Sequence, residues 1–288
     1  MPVSQLKWIL LLSMALIWGS SFILIKKGLI GLDPFQLGSL RMVFAALFML
    51  VIGFRTLAGI PAHKWKYLGL TALLGIFAPA YLFAIAETRI GSAIAGVLNA
   101  LTPLNALILG GLFFGMQFLR VQVMGVAAGF LGSLVLVFTG AEMQTTTHLG
   151  YAALIFIATV CYGLNVNIIK KHLSDLDSLT IATGNSAILL LPTLVLLVFS
   201  GYFDVMARKD VQYSTLFVLL LGVLGTGVAN LLFFRLIAIS TTVFATSVAY
   251  LIPIVAFFWG LLDHEALSVL QLAGAFVVLV GVWLSGKK

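Results

Sequence analysis

The sequence predicts an all-α membrane protein with ten transmembrane helices arranged as two inverted five-helix repeats. Of its 288 residues, 62% are hydrophobic and 9% are charged, and the mean hydropathy is +1.18. A soluble domain carries about 25% charged residues. No polar stretch is long enough for a separate soluble domain, which excludes ATPase, kinase and nucleic-acid-binding modules. A further observation, an internal repeat, predicts the inverted arrangement.

Ten apolar runs are bounded by charged residues, glycine or proline, and each is close to the roughly 20 residues that cross a bilayer. The runs cover residues 8–27, 35–54, 67–86, 91–114, 121–139, 150–169, 178–199, 214–236, 241–262 and 267–285. The first run ends in Lys26-Lys27 and lacks a signal-peptide cleavage pattern, so we expect it to be retained. The connections at 87–91 and 239–241 are short enough to form tight helical hairpins.

Basic residues outside the runs predict the orientation in the membrane. Nine lie at the termini and in even-numbered loops, namely Lys7, Arg55, Lys64, Lys66, Arg120, Lys170, Lys171, Lys287 and Lys288. Five lie in odd-numbered loops, namely Lys26, Lys27, Arg89, Arg208 and Lys209. Both termini are therefore expected to be cytoplasmic, in a multi-pass protein of the plasma or bacterial inner membrane.

The net charge of +7 is accounted for by these loops, so no nucleic-acid partner is expected. The single cysteine, Cys161, cannot form an intramolecular disulfide. The histidines fall at or near loops, which argues against a buried metal site, and no metal or cofactor is predicted; they are His63, His148, His172 and His264. The expected partners are the lipid bilayer and a small-molecule substrate. Ten spans can enclose a cavity within one chain, so we expect a monomer.

The chain repeats itself at two offsets. At an offset of 144, Trp18-Gly19-Ser20-Ser21 aligns with Tyr162-Gly163-Leu164-Asn165, Lys26-Lys27 with Lys170-Lys171, and Asp33 with Asp177. At an offset of 150, Gly75 aligns with Gly225, Pro103 with Pro253, and Gly110 with Gly260. Each predicted repeat, 1–142 and 143–288, has an odd number of helices, so the second enters the membrane from the opposite side. This architecture is typical of alternating-access carriers that hold substrate near the bilayer midplane.

Several of these motifs resemble the EamA branch of the drug/metabolite transporter superfamily. They are the Trp-Gly-Ser-Ser motif at 18–21, the segment from Asp33-Pro34 to Arg41, and the Leu101-Thr102-Pro103 and Leu251-Ile252-Pro253 segments. The resemblance implies ten helices in two repeats and export of amino acids or related metabolites, as in YddG-like exporters. The two halves are not chemically equivalent, because Asn185 occupies the repeat position of Arg41 and Tyr162 replaces Trp18.

Polar side chains in mid-helix are expected to face the protein interior or a wet cavity, because lipid cannot satisfy them. Residues three or four apart share a helix face. The predicted substrate-binding residues are Trp18, Ser21, Arg41, Tyr81, Asn99, Thr102, Tyr162, Asn165, Asn230, Thr246 and Tyr250. Rings and amides together suit an amphipathic metabolite.

Three alternatives remain open for these positions. Asn99, Asn105 and Asn230 can instead join helices by hydrogen bonds. Trp18 and Tyr162 can belong to an interfacial aromatic belt, and Arg41 can extend outward to the membrane surface. Pro103 and Pro253 each remove a helix hydrogen bond, which makes either a gating hinge or a packing kink. The glycine pairs at 111 and 115 and at 125 and 129 favour close helix packing.

Acidic residues are absent from the middle of every predicted span, and Glu87 lies at the outer end of the third. This pattern favours facilitated or weakly coupled export over proton antiport through a buried carboxylate. Three other classes of protein fit the sequence less well. A phosphorylated-sugar or nucleotide-sugar carrier needs several deep basic residues, and Arg41 alone qualifies. A membrane-embedded enzyme would have to use Asp263-His264-Glu265 in a short turn, so none is expected. A channel would need a continuous polar pore.

Overall fold

The computed structural model describes residues 2–90, 92–138, 149–262 and 269–287, and all the regular elements in those ranges are helical. Ten segments, α1 to α10, form the bundle. They are α1 Val3–Gly28, α2 Pro34–Gly53, α3 Ala62–Ala86, α4 in two parts (Ser92–Asn99 and Thr102–Phe114), α5 Arg120–Phe138, α6 Leu149–His172, α7 Ser178–Phe199, α8 Lys209–Ile239, α9 in two parts (Thr242–Thr246 and Val248–Leu262) and α10 Val269–Ser285.

The segments confirm the predicted membrane fold. Six of them, α1, α2, α3, α6, α7 and α8, are long and apolar enough to cross a bilayer unaided. Shorter apolar helices occur in α4, α5, α9 and α10, and together with the six they give the ten expected. The predicted repeat boundary at 142 and 143, His148, and the cluster Asp263-His264-Glu265 lie outside the described residues.

The second helix of each repeat begins with the same kind of cap. Before α2, the Asp33 carboxylate accepts hydrogen bonds from the backbone N–H groups of Phe35 and Gln36 at 2.7 and 3.0 Å. Before α7, the Asp177 carboxylate accepts from Thr180, from its backbone N–H at 2.9 Å and its hydroxyl at 2.6 Å. Such caps satisfy N–H groups that a helix start leaves unpaired. The shared aspartate at an offset of 144 therefore marks equivalent helix starts.

Helix packing follows the symmetry of an inverted repeat. The first helix of each repeat packs on the third and fourth helices of the other: α1 contacts α8 and α9, whereas α6 contacts α3 and α4. The pairs α2 with α7 and α5 with α10 join equivalent helices. Glycines permit the close approach at two equivalent crossings. A Cβ at Gly19 would lie 2.6 Å from Val255, and one at Gly163 would lie 3.0 Å from the Asn105 and Ala106 backbone.

The two predicted glycine pairs behave differently. In the contact between α5 and α10, a Cβ at Gly125 would lie 2.7 Å from the Gly281 carbonyl oxygen, and in the contact between α5 and α9 one at Gly129 would meet the Tyr250 ring, so close packing is confirmed. The prediction is wrong for the other pair. A Cβ at Gly111 or Gly115 would meet no atom of the described residues within 4 Å. Gly115 ends α4 in the left-handed conformation, with φ of 64°, so its role is to cap a helix.

Both termini lie on one face of the bundle, where the Lys7 ammonium donates to the Gly286 carbonyl at 3.0 Å. We call this the terminal face, and it also carries the connections α2–α3, α4–α5, α6–α7 and α8–α9. The opposite face carries the described connections α1–α2 and α7–α8. The predicted tight hairpins are present, since α3 ends at Ala86 and α4 begins at Ser92, and α8 ends at Ile239 and α9 begins at Thr242.

The predicted hinge prolines occupy different backbone settings. Pro103 lies in the first turn of the second part of α4, after a break at Ala100 and Leu101, where proline fits without loss of a hydrogen bond. Pro253 lies inside the second part of α9, after a break at Ser247. Each helix is therefore interrupted before its proline. In α4 the break lies on the opposite-face side of Pro103, and in α9 it lies on the terminal-face side of Pro253.

Candidate functional site

A cavity of about 100 Å³ lies between the two repeats near the middle of the bundle. At about 10–15 Å³ for each water, it has room for several water molecules or a small solute. Nine of the eleven predicted site residues line it: Trp18, Ser21, Arg41, Asn99, Thr102, Tyr162, Asn165, Asn230 and Thr246. The cavity thus receives side chains from both repeats.

Two equivalent aromatic pairs flank the cavity. The ring centroids of Trp18 and Phe233 are 5.2 Å apart in an edge-on arrangement, and those of Tyr162 and Phe83 are 6.3 Å apart. The repeat offsets relate one pair to the other, with Trp18 matching Tyr162 and Phe83 matching Phe233. Sequence reasoning missed both phenylalanines, although the offset of 150 relates them. Phe22 extends the second pair, at 6.5 Å from Phe83.

The third helix of each repeat changes its winding beside the cavity. Leu73–Phe77 in α3 and Leu221–Val228 in α8 are π-helical, and the segments contain the equivalent glycines Gly75 and Gly225. Short π-helical segments inside α-helices are frequent at functional sites. The equivalence of the two segments shows that the repeats share this backbone feature as well as their helix order.

Each of these glycines faces a polar residue on the first helix of the other repeat. A Cβ at Gly75 would lie 2.5 Å from the Asn165 amide, and one at Gly225 would lie 2.9 Å from the Ser21 hydroxyl. Asn165 and Ser21 are themselves repeat partners. Trp18 donates from Nε1 to the Gly225 carbonyl oxygen at 3.0 Å, which fixes its indole ring. Because glycine has no side chain, Gly75 and Gly225 leave space for these polar groups at the cavity wall.

Arg41 is the one charged side chain among the described residues that line the cavity. Its Nε donates to the hydroxyl of Thr226 on α8 at 2.6 Å, so the guanidinium group is held inward and does not extend to the membrane surface. A guanidinium carries several further N–H donors. The Glu87 carboxylate at the end of α3 lies within electrostatic range. Thr226 was not predicted, because its repeat partner is the apolar Ile76.

Asn165 is almost completely buried at the cavity wall, with 3% of its surface exposed. Its side-chain oxygen has no hydrogen-bond partner among the described residues. A buried polar atom without a partner is costly. The cavity wall therefore carries a buried amide with an unsatisfied oxygen at Asn165 and N–H donors at Arg41.

Three polar residues of α4, spaced three apart, have two different roles. Asn99 and Thr102 line the cavity, and the Thr102 hydroxyl donates to the Asn99 side-chain oxygen at 3.3 Å. Asn105 instead donates to the Thr159 hydroxyl on α6 at 2.9 Å, which joins two helices. Asn167, which sequence reasoning missed, joins the same helices by donating to the Ala106 carbonyl at 2.8 Å.

The structure places Tyr81 and Tyr250 outside the cavity, contrary to expectation. The Tyr81 hydroxyl bonds the Ser39 hydroxyl at 2.8 Å, and its ring covers Gly38 on α2. Tyr250 is fully buried, its hydroxyl donates to the Val126 carbonyl of α5 at 2.9 Å, and its ring lies against Gly129. In both cases a glycine on the adjacent helix opens a groove that accepts the ring.

An all-helical bundle with two inverted repeats and a polar cavity between them defines a membrane transporter. The model of the EamA-like transporter family matches residues 6–138 and 149–286, one match for each half. The chain belongs to the EamA family, as its sequence motifs led us to expect.

Curated relatives and a solved structure agree with this assignment. An "Uncharacterized transporter" of Archaeoglobus fulgidus is 28% identical, with 98% of this chain and 99% of the relative covered. A "Probable amino-acid metabolite efflux pump" of Escherichia coli strain K12 is 24% identical, with 98% of this chain and 95% of the relative covered. A crystal structure superposes with a TM-score of 0.73 at 15% identity, over 96% of this chain and 95% of that one, which shows a shared fold.

Proposed function

We propose that this protein is a secondary transporter that exports amino acids or similar small amphipathic metabolites across the plasma or bacterial inner membrane by alternating access. The name of the Escherichia coli relative, an amino-acid metabolite efflux pump, supports the substrate class. The terminal face is assigned to the cytoplasm, because that face carries the larger number of basic loop residues. The observation that carries the proposal is the pairing of Arg41 and Asn165 at one cavity.

The two polar groups match the two charges of an amino acid. Arg41 presents N–H donors to a carboxylate, and guanidinium groups bind carboxylates with charge-assisted hydrogen bonds. The Asn165 oxygen, which has no partner among the described residues, accepts a hydrogen bond from an ammonium group. The aromatic pairs on either side then contact the side chain of the substrate.

The proposal includes facilitated or weakly coupled transport. Among the described residues that line the cavity, none is a carboxylate that would exchange a proton for substrate. A phosphorylated-sugar carrier is a weaker candidate, because the described lining offers one cation for a phosphate group. Transport into proteoliposomes with and without an imposed pH gradient tests the coupling. Rates that scale with the pH gradient would overturn this part.

The substrate test uses purified protein in proteoliposomes and a panel of radiolabelled amino acids. Unlabelled competitors then remove one charge at a time, with decarboxylated amines lacking the carboxylate and N-acetyl amino acids lacking the ammonium group. We expect uptake of at least one amino acid and competition by intact zwitterions. The proposal fails if no amino acid is carried, or if the amines compete as well as the parent compounds.

A further inference from the structure

A lysine at the end of α6 is bound to the end of α8 on the terminal face. The Lys170 ammonium donates to the carbonyl oxygens of Ile237 at 2.9 Å and Ser240 at 2.7 Å. These carbonyls end a helix, where the backbone leaves acceptors unpaired and the helix dipole favours a cation. The half-buried side chain therefore ties α6 to α8 and holds that side of the bundle together.

The equivalent lysine of the first repeat is in a different situation. Lys26 is the partner of Lys170 at the offset of 144, and Glu87 and Ile90 are the partners of Ile237 and Ser240 at the offset of 150. Lys26 is exposed and has no hydrogen-bond partner among the residues that the structure describes. It lines a crevice of about 410 Å³ together with Glu87, Thr88 and Ile90 on the opposite face.

The Lys170 contact lies within the second repeat, whereas contacts between the two repeats are made on both faces at once. On the terminal face, Lys64 of α3 donates to the His172 carbonyl at 2.7 Å and bonds the Asp175 carboxylate at 2.6 Å. On the opposite face, Ser214 of α8 takes the equivalent place. Its hydroxyl donates to the Lys27 carbonyl at 3.1 Å and accepts from the Gly31 N–H at 3.0 Å.

The Lys170 contact has no counterpart on the opposite face among the described residues. The contacts between α3 and α6 and between α8 and α1 are present on the two faces that the pseudo-twofold axis exchanges. The lysine contact, in contrast, is present between α6 and α8 and absent between the described residues of α1 and α3. In an inverted repeat, the two halves exchange conformations when the open side changes. A difference of this kind between equivalent lysines is expected of a carrier with one side closed.

We infer that Lys170 and Lys26 are alternating latches of the transport cycle. In the present state Lys170 caps α8 and closes the terminal face, while the crevice beside Lys26 is open. In the other state Lys26 binds the carbonyls of Glu87 and Ile90 at the end of α3, and Lys170 is released to solvent. This inference rests on the proposed alternating access and adds the residues that stabilise each closed side.

The test uses the labelling rate of a cysteine buried beneath the terminal face as a measure of how often that face opens. Ala245 is fully buried in the core cluster below that face, near the start of α9. Ala245→Cys is introduced with Cys161→Ser, and the purified protein is labelled with a bulky hydrophilic maleimide. A cation at a helix end shifts an equilibrium by between about twofold and thirtyfold. We expect Lys170→Ala to increase the labelling rate within that range.

Lys66 and Lys27 are the matched controls, one on each face, because both side chains are exposed and neither binds a helix end among the described residues. Lys66→Ala and Lys27→Ala should leave labelling unchanged, and Lys170→Arg should restore the low rate because arginine keeps the donors. Lys26→Ala should lower the labelling rate at least about twofold, since it removes the latch of the other state. It should leave the thermal midpoint unchanged, because this lysine has no partner in the present state among the described residues.

Two results would overturn the inference: equal labelling of the Lys170→Ala and Lys66→Ala proteins, or equal labelling of the Lys26→Ala and Lys27→Ala proteins. The labelling assay needs no substrate. If the expected pattern appears but no amino acid is transported, the proposed substrate is wrong and the latches stand. If amino acids are transported but the pattern is absent, the latches are wrong and the proposed function stands.

Discussion

Arg41 on α2 donates from its Nε to the hydroxyl of Thr226 on α8, over a distance of 2.6 Å. This bond joins the two repeats and orients the guanidinium group toward the central cavity. Thr226 lies within the π-helical segment of α8, so a local change of helix winding positions the cavity's cation. The inward orientation makes Arg41 available to a substrate carboxylate.

Replacing Arg41 tests the carboxylate site. Arg41→Gln keeps a polar side chain but removes the charge, so the KM for amino acids should rise at least about tenfold, because hydrogen bonds to charged groups contribute roughly 1.5–3 kcal/mol. The measurement is the concentration dependence of uptake in proteoliposomes. Arg235→Gln is the matched control, since Arg235 is exposed near the terminal-face end of α8. Equal KM values for the two variants would contradict the prediction.

Asn165→Leu tests the ammonium site with a side chain of similar volume. The KM for zwitterionic amino acids should rise about tenfold or more, because a hydrogen bond to a charged group is lost. The thermal midpoint should not fall, since the replaced oxygen has no partner among the described residues and its removal relieves an unsatisfied acceptor. A lower midpoint with an unchanged KM would assign Asn165 to helix packing instead.

Helix periodicity and the internal repeat were the basis for most of the cavity residues that the sequence predicted. Spacing of three placed Trp18 with Ser21 and Tyr162 with Asn165, and the repeat predicted that both pairs lie at equivalent places. Periodicity does not specify which neighbour a face meets. Tyr81 and Tyr250 were predicted at the cavity because the grooves that accept their rings are made by glycines on other helices.

Helix interruptions were harder to predict than helix positions. The break in α9 at Ser247 precedes its proline, and the π-helical segments have no composition that separates them from ordinary apolar helix. The Phe83 and Phe233 pair could have been found, because the offset of 150 relates the two residues. Thr226 could have been found as well, since it lies four residues before Asn230 and so shares its helix face, although its repeat partner is apolar.

Gly75→Ala tests whether the position beside Asn165 must be glycine. The new Cβ would lie 2.5 Å from the Asn165 amide, so that side chain must move within a packed wall. Overpacking of this kind costs about 1–3 kcal/mol. We expect a lower thermal midpoint and slower amino-acid uptake. Gly69→Ala on the same helix is the control, because its Cβ would meet nothing within 4 Å in the part of the chain that the structure describes. Equal behaviour of the two proteins would exclude the proposed clash.

Pro103→Ala tests the hinge hypothesis for α4. Pro103 begins the second part of α4, where it costs no helix hydrogen bond, so alanine should leave the folded protein stable. If the break at Ala100 and Leu101 must flex during transport, alanine allows the two parts to join and should reduce the uptake rate severalfold. Full activity would show that the proline has a packing role alone. Pro192→Ala in α7 provides a control for loss of a helix proline outside the cavity.

Tyr250→Phe separates structural support from substrate contact. The phenol donates to the Val126 carbonyl on α5 and is fully buried, so its removal should cost about 1 kcal/mol and lower the thermal midpoint. The KM for amino acids should stay unchanged, because the hydroxyl lies outside the cavity. Tyr213→Phe should alter neither quantity, since that side chain is 55% exposed. A raised KM in Tyr250→Phe with an unchanged thermal midpoint would indicate that this tyrosine contacts the substrate.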